Sequence, residues 1–106
     1  MILTTKIYNA TQNFPKEEIY GLTSQIRRSI VSIPSNIAEG FGRDGSKEYL
    51  RFLNIALSSL FELQTQIEIS KNIKYLTEEE FITIYDDTRE VERMLVSFIN
   101  KIKEKT

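Results

Sequence analysis

The chain is predicted to be all-α: an up-down-up-down antiparallel four-helix bundle with a short first helix and a second helix kinked at Pro34. Three observations lead there. Apolar residues recur at steps of three and four in four separate segments, the spacing of one helical face. No segment alternates apolar and polar residues as a half-buried strand would. The connections between periodic segments are short, about five residues, which makes successive helices antiparallel neighbours. At 106 residues the chain is predicted to form one domain, residues 1–106, large enough for a single core but not for two.

Leu3, Ile7, Ala10 and Phe14 define the first helix, over Ile2 to Phe14. Asn13-Phe14-Pro15 stops it, because a residue before proline is pushed out of the helical region. Pro15-Lys16-Glu17-Glu18 then predicts the start of the second helix: proline suits a first turn, and acids suit the positive end of the helix dipole. Gly21 leaves that start open by several residues.

Leu22, Ile26, Ile30, Ile33, Ile37 and Phe41 form one apolar stripe along the second helix. Pro34 interrupts the hydrogen bonding but not the pattern. It removes the bond to the Ile30 carbonyl and crowds it, a cost of about 3 kcal/mol in an exposed interior, so a kink or short break is expected. The bend either wraps the helix around the core or aims Ser35, Asn36 and Glu39 at a partner. Beside the stripe runs a polar line of Gln25, Arg28, Ser32, Asn36 and Glu39. These residues are expected to form a polar network at a helix or subunit interface, with Arg28 paired to an acid and Asn36 satisfying backbone groups freed at Pro34.

Gly40, Gly42 and Asp44-Gly45 end the helix and turn the chain. Ser46 is the expected N-cap of the third helix, with Glu48 in its first turn. Leu50, Leu53, Leu57, Leu60, Gln64 and Ile67 make a heptad-like seam, and Phe52, Ala56, Ser59 and Leu63 a second stripe beside it. Such an arc exceeds what one neighbour covers, so copies of the chain are expected to associate, with small Ala56, Ser58 and Ser59 permitting close approach. After a connection over Asn72 to Leu76, Thr77-Glu78-Glu79-Glu80 reads as a capping box, and Leu76 and Phe81 take the positions of a hydrophobic staple. Phe81, Ile84, Thr88, Val91, Leu95, Phe98 and Ile102 carry the fourth helix, its acids early and its lysines late, as the macrodipole favours. The second to fourth helices come to about 25 residues, near 38 Å, against about 13 residues, near 20 Å, for the first. Part of the first helix's groove is therefore expected to be open, covered by a partner subunit or by a longer natural N-terminus.

The chain has no histidine and no cysteine. Imidazole-based general bases, thiol nucleophiles, disulfides, the usual zinc sites and Glu-x-x-His iron pairs are all excluded. Four glycines form neither a phosphate loop nor a dinucleotide fingerprint. No catalytic residue, metal site or cofactor is predicted, and the expected class is non-enzymatic. No apolar run approaches a membrane span, and Met1-Ile2-Leu3 lacks the pattern of a signal peptide, so a cytoplasmic location and no membrane partner are expected. For nucleic acid, RNA or DNA, the candidates are Arg43, Lys47 and Arg51, four apart, near Tyr49, with Arg27 and Arg28 on the second helix. The net charge of −1 and pI near 5.5 argue against a strongly basic surface. Charge is uneven, nine basic against seven acidic residues over 1–76 and five against eight over 77–106. The alternative is a protein–protein assembly module with no nucleic-acid binding, docking through its acidic last helix.

FPKEEIYGLTSQIRRSIVSIPSNIAEGFGR, followed by SKEYLRFLNIALSSLFELQTQIEIS, resembles the bacterial four-helix-bundle family of the 23S rRNA intervening-sequence protein, over about residues 5 to 100. That family is related to the accessory variability protein of diversity-generating retroelements. The resemblance implies an up-down bundle in a homopentameric ring without catalysis, with nucleic-acid binding attributed to the accessory relative. Gln25, Arg27, Arg28, Ser32, Pro34, Asn36, Glu39 and Gly40 stand where the family motif has them. Family members usually carry a longer first helix.

Overall fold

The computed structural model describes residues 2–105. It is an elongated bundle of 46 × 24 × 19 Å. Four helices, α1 (Ile2–Thr11), α2 (Leu22–Phe41), α3 (Ser46–Asn72) and α4 (Glu78–Glu104), follow one another with no strand among the described residues. α1 packs on α2 and α4, and α3 packs on α2 and α4, while the two diagonals stay apart. The up-down four-helix bundle is therefore the observed fold. The core runs along its axis: Leu3 and Ile7 from α1, Ile26, Ile30 and Ile33 from α2, Leu53, Leu60, Leu63 and Ile67 from α3, and Ile84, Leu95 and Ile99 from α4.

The helix ends show where local chemistry decided the fold. Pro15 does not open α2: Lys16–Glu18 form a single 3-10 turn, and α2 begins at Leu22 after Gly21. The reason is Glu18, whose Oε1 accepts from the Leu22 amide at 3.2 Å and so satisfies a free donor at the helix start. Its Oε2 accepts from the Tyr75 hydroxyl at 2.9 Å, tying this turn to the α3–α4 connection. Ser46 is the first residue of α3 rather than its N-cap; the cap position is Gly45, at φ 86°, a left-handed conformation that suits glycine. α4 starts as expected, with Thr77 accepting from the Glu80 amide at 3.1 Å and Glu80 accepting from the Thr77 amide at 2.9 Å.

α2 continues unbroken through Pro34, so the short break is absent. Of its apolar stripe, Ile26, Ile30 and Ile33 are fully enclosed, but Phe41 is 77 % exposed. The second stripe of α3 also departs from expectation: Phe52, Ala56, Ser59 and Leu63 are all buried within one chain. They pack inside the bundle, so this stripe offers no open surface to a second copy. The large apolar residues left outward on α3 are Ile55, Phe61 and Ile69.

α1, at 10 residues, spans about 15 Å, while the 27-residue α3 and α4 span about 40 Å. Its first turn lies beside Val91 and Met94 of α4. The last turns of α2 and α4 extend past it, and Phe41, Met94 and Phe98 are exposed.

Candidate nucleic-acid interface at the α2–α3 corner

Arg43, Lys47 and Arg51 sit at the turn from α2 into α3, as their spacing predicts. Phe52 organises the two arginines. Its ring is 7 % exposed, and the guanidinium carbons of Arg43 and Arg51 lie 5.2 and 4.6 Å from its centroid. Each arginine also holds a carboxylate close to it in sequence: Arg43, in the turn, donates to Glu39 of α2 at 3.0 Å, and Arg51 donates through Nε and Nη2 to the two oxygens of Glu48 at 3.2 and 3.3 Å. The Arg51 guanidinium holds the Glu48 carboxyl below its ordinary pKa. Glu48 in turn raises that of Arg51. All four side chains remain about half exposed, so the pairs are open to competition from another anion. Lys47 is fully on the surface beside them.

Aromatic rings back the same corner. Phe41 meets Tyr49 edge-on at 6.2 Å, and Tyr49 meets Phe98 of α4 edge-on at 5.7 Å. Because α4 runs antiparallel to α3, its last-turn lysines, Lys101 and Lys103, come to this end too.

Arg27 and Arg28 do not join the corner. Arg27 faces α1: Nε donates to Thr11 Oγ1 at 3.0 Å, Nη2 to the Tyr8 carbonyl at 3.4 Å, and the guanidinium lies 4.7 Å from the Tyr8 ring centroid. Its placement fixes the short first helix to α2. Arg28 is exposed and reaches Glu62 of α3 at 3.9 Å, the acid partner foreseen for it.

The rest of the polar line of α2 is divided among three settings. Ser32 and Asn36 form a seam with α3, where the Ser32 and Ser59 hydroxyls are 2.8 Å apart and the Asn36 amide donates to Ser32 Oγ at 2.9 Å. Asn36 also donates to the Ser32 carbonyl at 2.8 Å, not to the Ile30 carbonyl that Pro34 vacates. Glu39 belongs to the corner with Arg43, and Gln25 is exposed outside both. Ser29 is the residue sequence reasoning missed: 1 % exposed, it donates to Glu62 Oε1 at 3.2 Å. The signal for it was a serine adjoining the apolar stripe at Ile26 and Ile30, where a hydroxyl needs a partner.

No group of acids that could hold a metal occurs among the described residues, and no described helix is long and apolar enough to cross a membrane.

These features define a class: a small all-α protein built as one up-down bundle, with a serine seam between its central helices and an arginine–aromatic corner. The 23S rRNA-intervening sequence protein family matches over residues 1–97, and the chain belongs to that family. A crystal structure of a protein of unknown function from the S23 ribosomal protein family of Bacteroides thetaiotaomicron is similar throughout, with a TM-score of 0.80 and 28 % identity over 92 % of this chain and 89 % of that one. No functionally curated protein matches the chain.

Proposed function

We propose that the protein is a non-enzymatic scaffold that self-associates into a ring of five and presents its α2–α3 corners to RNA or DNA, or to a nucleic-acid-processing partner, in the cytoplasm. The observation that carries this is the convergence of Arg43, Lys47 and Arg51 on one end of the bundle, the two arginines half exposed and braced by Phe52 and Lys47 exposed beside them. A ring repeats the corner around its axis, so modest charge per protomer adds up through multivalency. The ring of five and the link to the accessory protein rest on the family resemblance. Self-association is supported by apolar side chains left outward on α3 and α4, among them Ile55, Phe61, Ile69 and Met94. A chain without histidine or cysteine favours binding over catalysis.

The second reading, a protein–protein assembly module, is favoured by the same outward apolar residues together with the carboxylates already paired to the corner arginines. Sedimentation of the purified protein followed by filter binding across a salt series separates the two. Three phosphate contacts per engaged protomer predict a log–log salt slope of about −2 to −3. Intact rings that bind neither RNA nor DNA at low salt would establish the assembly module instead.

A further inference from the structure

Phe41 departs furthest from its expected place. A phenylalanine on an apolar stripe belongs in the core, yet this one is 77 % exposed at the last residue of α2. It meets Tyr49 edge-on, and with most of the side chain exposed at least one face of the ring is open to solvent. Cations share this end of the bundle: Arg43 follows in the turn, Lys47 lies in the first turn of α3, and Lys101 is one helical turn from Phe98 on α4, whose ring meets Tyr49. This end of the bundle carries six basic residues (Arg43, Lys47, Arg51, Lys101, Lys103, Lys105) against four acids (Glu39, Asp44, Glu48, Glu104). At the opposite end the balance reverses, with Lys16, Lys71 and Lys74 against Glu17, Glu18, Glu78, Glu79 and Glu80. The open aromatic face thus stands at the positive pole.

Phosphate backbone alone gives a phenylalanine nothing to bind, and the bases of a duplex are already stacked on each other. An unpaired base offers a π-face of matching size, and stacking on an aromatic side chain is tolerant of sequence. We propose that Phe41 is a stacking platform, so that the nucleic acid bound at this corner is single-stranded or carries unpaired bases. This rests on the nucleic-acid reading above. A flat anionic lipid surface fits less well, because it would meet Glu39, Asp44 and Glu48 together with the cations, whereas a single strand can follow the cations between them.

The test is fluorescence anisotropy with a labelled oligonucleotide of about 20 nucleotides, single-stranded and as a duplex, at about 50 and 200 mM salt. The proteins are wild type, Phe41→Leu and Lys47→Gln, each first sedimented to establish its assembly. Leucine keeps the apolar bulk and removes the aromatic face. The expected result is tighter binding of the single strand than of the duplex, and a loss in Phe41→Leu of roughly five- to a hundredfold in single-strand affinity with the salt slope unchanged. Lys47→Gln should instead flatten the salt slope. Equal binding of single strand and duplex, with Phe41→Leu indistinguishable from wild type, would overturn the platform while leaving the scaffold reading intact. No binding of either probe at about 50 mM salt would overturn the nucleic-acid reading itself. Loss of assembly in Phe41→Leu would make Phe41 a subunit contact and likewise refute the platform.

Discussion

Replacing Gly40 with alanine probes how closely α2 and α3 must approach to build the corner. Gly40 is buried, and a Cβ placed there would lie 2.7 Å from Phe52 Cβ, 3.0 Å from Tyr49 Cδ1 and 3.4 Å from the Tyr49 carbonyl. Phe52 Cβ is fixed to the α3 backbone and cannot swing away, so the added carbon falls roughly 0.7 Å short of ordinary contact. The Tyr49 ring has little freedom either, held edge-on between Phe41 and Phe98. Two effects then oppose each other. Alanine regains about 1 kcal/mol of helix propensity over glycine. Overpacking a close crossing costs about 1–3 kcal/mol, and contact with a backbone-anchored atom puts this site toward the upper part of that range.

The net expectation is a loss of about 1–2 kcal/mol, or roughly 5–15 °C in Tm for a domain of this size. Gly42→Ala is the control. There the nearest atom is the Glu39 carbonyl at 3.6 Å, so alanine should be neutral or stabilise by a few tenths up to about 1 kcal/mol. Thermal and urea unfolding at matched protomer concentration reads both, since association shifts apparent stability. A Gly40→Ala variant as stable as wild type would mean that α2 and α3 yield freely at this crossing, and the close approach would not be needed to hold the corner.

Other expectations follow from single contacts. Thr77→Ala removes the side-chain half of the α4 capping box and should cost about 1 kcal/mol in urea unfolding. The hydrogen bond to Glu18, then partial burial, raises the Tyr75 pKa above the ordinary phenol value. A raised folded-state pKa gives stability that is complete below the unfolded value of about 10 and is lost as pH climbs through the folded value. Tyr75→Phe should therefore remove part of the alkaline decline in urea midpoints, and an unchanged decline would show the contact to be uncoupled from folding. Glu48→Gln takes away the carboxylate that competes for Arg51, so single-strand affinity should rise with little change in Tm, as anisotropy and thermal melts can check.

How much of this was legible in the sequence depends on the range of the interaction. The helices, their order and the α4 cap follow from periodicity and from groups within four residues of each other, and these were readable. The start of α2 was not, because it is set by Glu18, which both accepts from Leu22 and is held by Tyr75, 57 positions away. The convergence of Arg43, Lys47 and Arg51 could be read from their spacing, but the Phe52 ring beneath two of them depends on how α2 crosses α3. Phe41 illustrates the limit most clearly: periodicity placed it on the buried face, and only the end of the bundle, where no neighbouring helix covers that face, leaves it out. The second α3 stripe erred in the opposite sense. Its breadth pointed to another copy, whereas α2 and α4 on either side enclose it within one chain.

Gln64 interrupts the α3 seam, and its role can be tested separately from its contribution to stability. It is 8 % exposed, and its Nε2 donates to Thr88 Oγ1 at 3.3 Å and to Glu92 Oε1 at 3.0 Å. Both partners have other bonds: Thr88 donates to the Tyr85 carbonyl at 2.6 Å, and Glu92 lies 3.6 Å from Arg89. Gln64→Leu would therefore strand no buried donor, and replacing a buried amide by an apolar side chain of similar size should change stability by no more than about 1 kcal/mol. What leucine removes is a pair of polar bonds, to Thr88 and Glu92, that are satisfied at a single register of α3 against α4. A seam of leucines and isoleucines packs nearly as well after a slip, and a buried amide penalises the slipped pairing by leaving itself unmatched. The expected signature is unchanged unfolding free energy with a broader, less uniform amide NMR spectrum. A loss above about 2 kcal/mol with sharp, uniform spectra would show that Gln64 supplies stability rather than register.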